Sequence, residues 1–329
     1  MENNKIFIVS NSPHVKSKAT TKRIMIDVCI ALLPACIMGV IYFGLPALLM
    51  LSLSVASAIL SEVGFLLISG KKLKEILLSF DFTSCVTGLL VGMSVGVNYP
   101  LYSVVFGSAF AIIVVKMLFG GTGKNLVNPA VTGRIFIFMS FQAVVGAWVF
   151  PSICAINGSS VTTGATFLES VMSGTIPNLS NLDLLLGTGL QGCIGETCKL
   201  ALIVGGIYLA IRKVINIFYP VLYVAVAGLF SVALNGLNFA FFLPSILSGG
   251  LILGAIFMAT DYTTTPNTKL GNVIYFIVLG LITSGLRMAT KMEVVSFAIL
   301  LMNLFVPLID KFVISRPFGF KKIKKAKGE

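Results

Sequence analysis

The feature that most constrains this chain is a succession of apolar stretches, each close to the length of a membrane-crossing helix, joined by short polar connections. A hydrocarbon core needs about 20 apolar residues per helix. Such stretches run at 24–43, 46–69, 82–98, 101–119, 130–150, 190–211, 217–235, 240–260, 271–289 and 294–313. The expected fold is an all-α membrane protein of about ten transmembrane helices over 24–313, with tails at 1–23 and 314–329. Composition agrees: 11% of the residues are charged, against about 25% in a soluble domain. The 32 Gly and 12 Pro are tolerated in membrane helices whose neighbours satisfy the freed backbone groups.

A net charge of +12 would point to nucleic acid in a soluble protein. Here the basic residues gather in short loops and tails, so the expected partner is the lipid bilayer and not nucleic acid. The polar first 23 residues lack the apolar core and cleavage site of a signal peptide and read as a cytoplasmic tail. With that tail inside, nineteen of the 24 Lys and Arg fall on the inner side, and Lys291 alone falls clearly outside. That is the asymmetry of the positive-inside rule, and it places both termini in the cytoplasm.

Four regions carry candidate chemistry. The outer connection 151–189 is the longest, contains no Lys or Arg, and includes Thr163-Gly164-Ala165-Thr166-Phe167-Leu168. Ser, Thr and Gly there fit a surface turn first, and second a hydroxyl presented to an activated phosphate. On the inner side, Gly120-Gly121-Thr122-Gly123-Lys124-Asn125-Leu126-Val127-Asn128-Pro129-Ala130 lacks the Walker spacing. It fits a Gly-capped helix end with Pro opening the next helix, while Asn125 and Asn128 offer paired donors and acceptors. Asp261-Tyr262-Thr263-Thr264-Thr265-Pro266-Asn267 is another inner junction, echoing Asp81-Phe82-Thr83-Ser84. Both read as helix caps or as part of an inverted duplication. Finally, ionisable groups inside spans are expensive and are default functional candidates. Glu62 is the leading ion-path candidate; Glu196 and Lys199, three apart, are placed to neutralise each other. The six cysteines include no C-x-x-C pair, and no self-contained metal or iron–sulfur ligand set emerges.

The run G-G-T-G-K-N-L-V-N-P-A-V-T-G-R at 120–134, the outer T-G-A-T-F-L and the D-Y-T-T-T-P-N together resemble the D subunit of the Rnf ion-translocating electron-transport complexes. That protein is homologous to the B subunit of the sodium-pumping NADH:quinone oxidoreductase. The resemblance covers essentially the whole chain. It implies FMN carried by Thr166 through a phosphoester bond. It also implies riboflavin held noncovalently toward the cytoplasm, with Asn125, Asn128, Asp261 and Thr263 as the candidate carriers. It further implies inverted five-helix halves similar to urea and ammonium channels, other Rnf-type membrane and peripheral subunits as partners, and a bacterial inner (cytoplasmic) membrane location. The implied activity is electron relay between ferredoxin and NAD coupled to Na⁺ or H⁺ translocation, by a subunit inactive alone. Apart from the resemblance, a secondary transporter or channel with inverted repeats fits the glycines that interrupt several stretches, Gly88, Gly92 and Gly96 in the third and Gly249–Gly250 in the eighth. Covalently bound flavin separates the two.

Overall fold

A computed structural model describes residues 20–141, 167–174, 180–188 and 190–314, and the described residues are helical, with no strand. Two long helices, α1 (Thr21–Phe43) and α2 (Leu45–Ile68), meet at Gly44, whose φ of 69° belongs to the region glycine enters without strain. α1 begins three residues ahead of the expected span because the Thr20 hydroxyl caps it, accepting from the Arg23 N–H. A short α3 (Leu73–Ser79) turns by 73° into α4 (Thr83–Met93). Then α5 (Leu101–Phe110) continues as a π-helical segment, Ala111–Met117, and α6 (Pro129–Ser140) follows. Two short helices, α7 (Phe167–Met172) and α8 (Asn181–Leu186), precede the second set.

That second set comprises α9 (Lys199–Ile211), α10 (Phe218–Leu234), α11 (Phe242–Leu247), α12 (Leu251–Leu253) extended by π-helical Gly254–Met258, α13 (Lys269–Thr290) and α14 (Val295–Phe312). The pair α11–α12, with the 3₁₀ turn Phe239–Phe241 ahead of it, bends by 68°. The third unit of each set is therefore broken: α3–α4 in the first, α11–α12 in the second.

Among the described residues, α1, α2, α13 and α14 are long and apolar enough to cross a membrane alone, and six spans result if each bent pair counts as one. The ten apolar stretches therefore do not translate into ten full-length helices. The stretch at 82–98 is helical only to Met93, and the one at 190–211 only from Lys199. The one at 240–260 breaks at residues 248–250, and residues 142–150 of the fifth lie outside the described residues. Hydropathy cannot foresee this, because a broken helix and a straight one have the same composition.

The breaks are chemically supported. Beyond the end of α11, the buried Arg287 guanidinium of α13 donates to the carbonyls of Ser245 (3.0 Å) and Ser248 (3.3 Å). A carbonyl freed in the membrane interior without such a partner costs several kcal/mol. Where α4 ends short of its apolar stretch, the segment before α9 pairs with it: Ile194 N–H to Val95 O (3.1 Å) and Gly195 N–H to Met93 O (2.7 Å).

Close packing rests on glycine. A Cβ on Gly205 of α9 would collide with the Ala31 carbonyl of α1, and one on Gly88 of α4 would lie 2.8 Å from Val55 Cα of α2. The α1–α9 pair is also tied by Asp27, which accepts from Arg212 (3.1 Å) and from the Tyr208 hydroxyl (3.1 Å). Leu33, Ile37, Leu60, Val204 and Leu304 expose apolar surface outward, as helices facing lipid do.

The described connections group as alternation of the ten stretches expects. The start of α1, the 118–128 loop, the turn after α9 and the 259–268 loop meet around one cavity, and the end of α14 is tied to them through Asp310 and Asn267. This end is the base; the opposite end is the top.

Candidate functional site

At the base, the four sections of sequence that carry polar motifs converge on one cavity of about 100 Å³. Thr83 comes from α4, Lys116 from the π-helical segment, Thr122, Gly123, Asn125 and Asn128 from the glycine-rich loop, and residues 260–263 from the junction after α12. All four sequence candidates for a noncovalent flavin site, Asn125, Asn128, Asp261 and Thr263, line this cavity.

Their chemistry differs. Asn125 has a buried side-chain oxygen with no hydrogen-bond partner, an acceptor available to a ligand. Asn128 has none to spare. Its oxygen caps α6, accepting from Ala130 (2.9 Å) and Val131 (3.4 Å), and its amide nitrogen donates to the Met258 carbonyl (3.0 Å). Asp261 accepts from the hydroxyls of Thr263 (2.9 Å) and Thr264 (3.3 Å). Burial pushes its carboxyl above the ordinary range, with those hydrogen bonds pulling the other way.

One contributor was not singled out from sequence. Asn303 of α14 is fully buried. In the amide orientation that satisfies both of its ends, its oxygen accepts from the Asn128 N–H (3.1 Å) and its nitrogen donates to the Thr264 carbonyl (3.3 Å). It joins the N-P-A and D-Y-T-T-T segments, yet a lone Asn in an apolar helix gives no sign of what it spans.

Glu62 is not isolated. Its Oε1 lies 2.7 Å from Lys116 Nζ, and the ammonium also donates to Thr83 Oγ1 at 2.5 Å. The Thr83 hydroxyl donates to Asp81 Oδ1 (2.5 Å), and Thr122 donates to Asp81 Oδ2 (2.8 Å). Burial alone would raise the Asp81 carboxyl. The hydrogen bond from Thr83, the Lys116 charge and the hydrogen bond from Thr122 outweigh it, leaving the carboxyl below its ordinary range. Glu62 Oε2 is buried and unpartnered.

At the top lies a larger cavity, about 550 Å³, within the usual range of small-ligand pockets, roughly 300–1,000 Å³. Thr166 itself lies outside the described residues, but Phe167 and Leu168, which follow it directly, line this cavity with Tyr99, Phe138, Arg134, Gln191, Glu196, Lys199 and Glu293. Both polar atoms of the Gln191 side chain are buried and unpartnered. Arg134 pairs with Glu196 (3.1 Å) and Arg287 with Glu293 (2.7 Å). The expected Glu196–Lys199 neutralisation is replaced by another arrangement. Glu196 precedes the helix, so its carboxylate turns to Arg134, while Lys199 Nζ donates to the Glu196 main-chain carbonyl. The loop containing Thr166 has no basic residue, but the cavity beside it has Arg134 and Lys199, both brought from other elements.

The two cavities nearly meet. Leu90 of α4 lines the lower and Ser94 the upper; Ala130 of α6 lines the lower and Arg134 the upper. Four helical residues rise about 6 Å, so one turn separates their linings.

These features define a class: a multi-pass helical membrane protein with broken helices and polar cavities at opposite ends. Residues 8–319 match the model of the NQR2, RnfD, RnfE family. The chain is 38% identical over 319 residues to the D subunit of the Na⁺-translocating ferredoxin:NAD⁺ oxidoreductase complex of Acetobacterium woodii, covering 96% of each chain. It is 34% identical over 327 residues to the D subunit of the proton-translocating ferredoxin:NAD⁺ oxidoreductase complex of Clostridium ljungdahlii, covering 96% of this chain and 97% of that one. Against the D subunit of the ion-translocating oxidoreductase complex of Stutzerimonas stutzeri it is 30% identical over 332 residues, covering 92% and 93%. The chain belongs to the NQR2, RnfD, RnfE family, and the relatives it matches along nearly its whole length are D subunits of ion-translocating oxidoreductase complexes.

Proposed function

We propose that this chain is the flavin-carrying membrane subunit of an Rnf-type complex. It relays electrons between ferredoxin and NAD through FMN esterified to Thr166 and through riboflavin at the base cavity, coupled to Na⁺ or H⁺ translocation. The observation that carries the reading is the top cavity: the residues following Thr166 form part of its wall, and it offers three cations, Arg134, Lys199 and Lys291, and an unpartnered amide. Arg134 and Lys199 would hold a phosphate or an electron-rich ring edge, Gln191 would donate and accept along that edge, and Tyr99, Phe138 and Phe167 would flank a ring face. At the base, Asn125 and Thr263 would make the polar contacts, and Asn128 would fix the loop that presents Asn125. Space there is tighter, and room for three fused rings would come from the exposed Tyr262 on its wall. A bound flavin supplies one- and two-electron chemistry, and the protein supplies position and electrostatics.

The chain then works only with other Rnf-type membrane and peripheral subunits, in a bacterial cytoplasmic membrane with both termini inside. The broken third unit of each set supports inverted five-helix halves. It also suits a secondary transporter, where discontinuous helices flank a site near the midplane. Denaturing electrophoresis of the purified complex decides between them. A fluorescent flavin band at the position of this chain, lost in Thr166→Ala, is expected. A band retained in that variant removes Thr166, and no band at all favours the transporter.

A further inference from the structure

The base cavity has an unusual electrostatic arrangement. Among its described lining residues Lys116 is the one cation, and it is almost fully buried. Stability does not explain it. Taking an ammonium and a carboxylate out of water costs several kcal/mol per ion, comparable to what their attraction returns. A well-packed apolar pair would serve a membrane protein as well. The setting has two further marks. Lys116 belongs to a π-helical segment, a local widening that recurs at functional sites. Its ammonium is divided between Glu62 and Thr83, and Thr83 donates its own proton to Asp81, leaving its oxygen to accept from Lys116.

We infer that Lys116 sets the reduction potential of the flavin bound at the base cavity, and that Glu62 acts through Lys116 as its restraint. This rests on the flavin reading of that cavity. Each electron entering a ring there from a one-electron donor adds one negative charge. The ammonium offsets that charge, so reduction is favoured. Glu62 draws the same ammonium the other way and limits the effect. Asp261, also on the cavity wall, opposes reduction where it is ionised, and Asp81 is held by Thr83 and Thr122. Lys116 is thus a positioning residue for charge, distinct from the Asn125 and Thr263 contacts.

The test is a spectroelectrochemical titration of the noncovalent flavin in the purified complex, with flavin content measured on the same samples. Lys116→Met is expected to lower the midpoint potential, by about tenfold in the equilibrium constant for reduction, the order of magnitude for loss of one nearby charge at an effective dielectric near 20. Lys116→Arg is expected to keep it near the wild-type value, and Glu62→Gln to raise it by releasing the ammonium toward the ring. A structural role alone would not move the two neutralising variants in opposite directions. Potentials unchanged in both variants, or moved the same way, overturn the inference. If Lys116→Met does not assemble, the sign of the Glu62→Gln shift decides alone. A wild-type complex without noncovalent flavin sinks the flavin reading and this inference together; flavin present with an indifferent potential sinks only this one.

Discussion

Arg287 and Glu293 hold each other across the turn between α13 and α14, Nη2 to Oε2 at 2.7 Å, while the same guanidinium caps two carbonyls at the break after α11. One side chain therefore neutralises a carboxylate and completes a broken span. Arg287→Met should cost about 3–5 kcal/mol, the usual penalty for leaving one member of a buried pair, because Glu293 and the carbonyls of Ser245 and Ser248 all lose a partner. Thermal unfolding in detergent measures it. Arg287→Met/Glu293→Gln should recover part of the loss, and the carbonyls would account for what remains.

The two asparagines of the glycine-rich loop should separate cleanly. Asn128→Ala removes a helix cap and a tether to Met258, and should lower stability by about 1–2 kcal/mol, with flavin content falling as a consequence. Asn125→Leu removes an unpartnered acceptor and should lose the noncovalent flavin with little change in thermal midpoint. Equal stability losses in both variants would count against the division of roles.

Gly205→Val tests the α1–α9 contact. Its Cβ would be driven into the Ala31 carbonyl, and backbone cannot rotate away as a side chain can. A loss of about 1–3 kcal/mol, the range for an overpacked core, is the minimum expected, visible as poor assembly. Gly64, where an added Cβ would meet nothing within 4 Å, should accept Ala and serves as the control.

Orientation is testable with an impermeant thiol reagent on intact cells. Cys154 should label from outside, whereas Lys71→Cys, Lys213→Cys and Lys325→Cys should label only after the membrane is opened. Labelling of position 71 or 213 in intact cells would invert the topology.

Apolar length and the placement of Lys and Arg made the helical class and the grouping of loops at two ends legible in sequence. The convergence of Asn125, Asn128, Asp261 and Thr263 was legible too, since all four lie in connections on the same side. The break at residues 248–250 was legible in the Gly249–Gly250 pair that interrupts the eighth stretch, whereas the late start of α9 was not, because residues 190–198 still average into an apolar stretch. Nor were the partners of buried charges: Glu62 meets Lys116 from 54 positions away, and Arg134 meets Glu196 from another set of helices. A hydrophobic window reads the neighbours of a residue in sequence, whereas burial of a charge is answered by neighbours in space.

The single turn separating the two cavity linings has an electrical consequence. Water-filled vestibules conduct the potential of the adjoining phase inward, so a transmembrane voltage falls across the remaining low-dielectric layer. With both cavities hydrated from their own side, that layer would be about 6 Å by helical rise, not the roughly 30 Å of the lipid core. The field would then be concentrated several-fold between Leu90 and Ser94 and between Ala130 and Arg134. A unit charge moved through this thin dielectric senses most of the membrane voltage, about 2.3 kcal/mol per 100 mV. Such an arrangement would confine the electrical work of crossing the membrane to one turn of two helices.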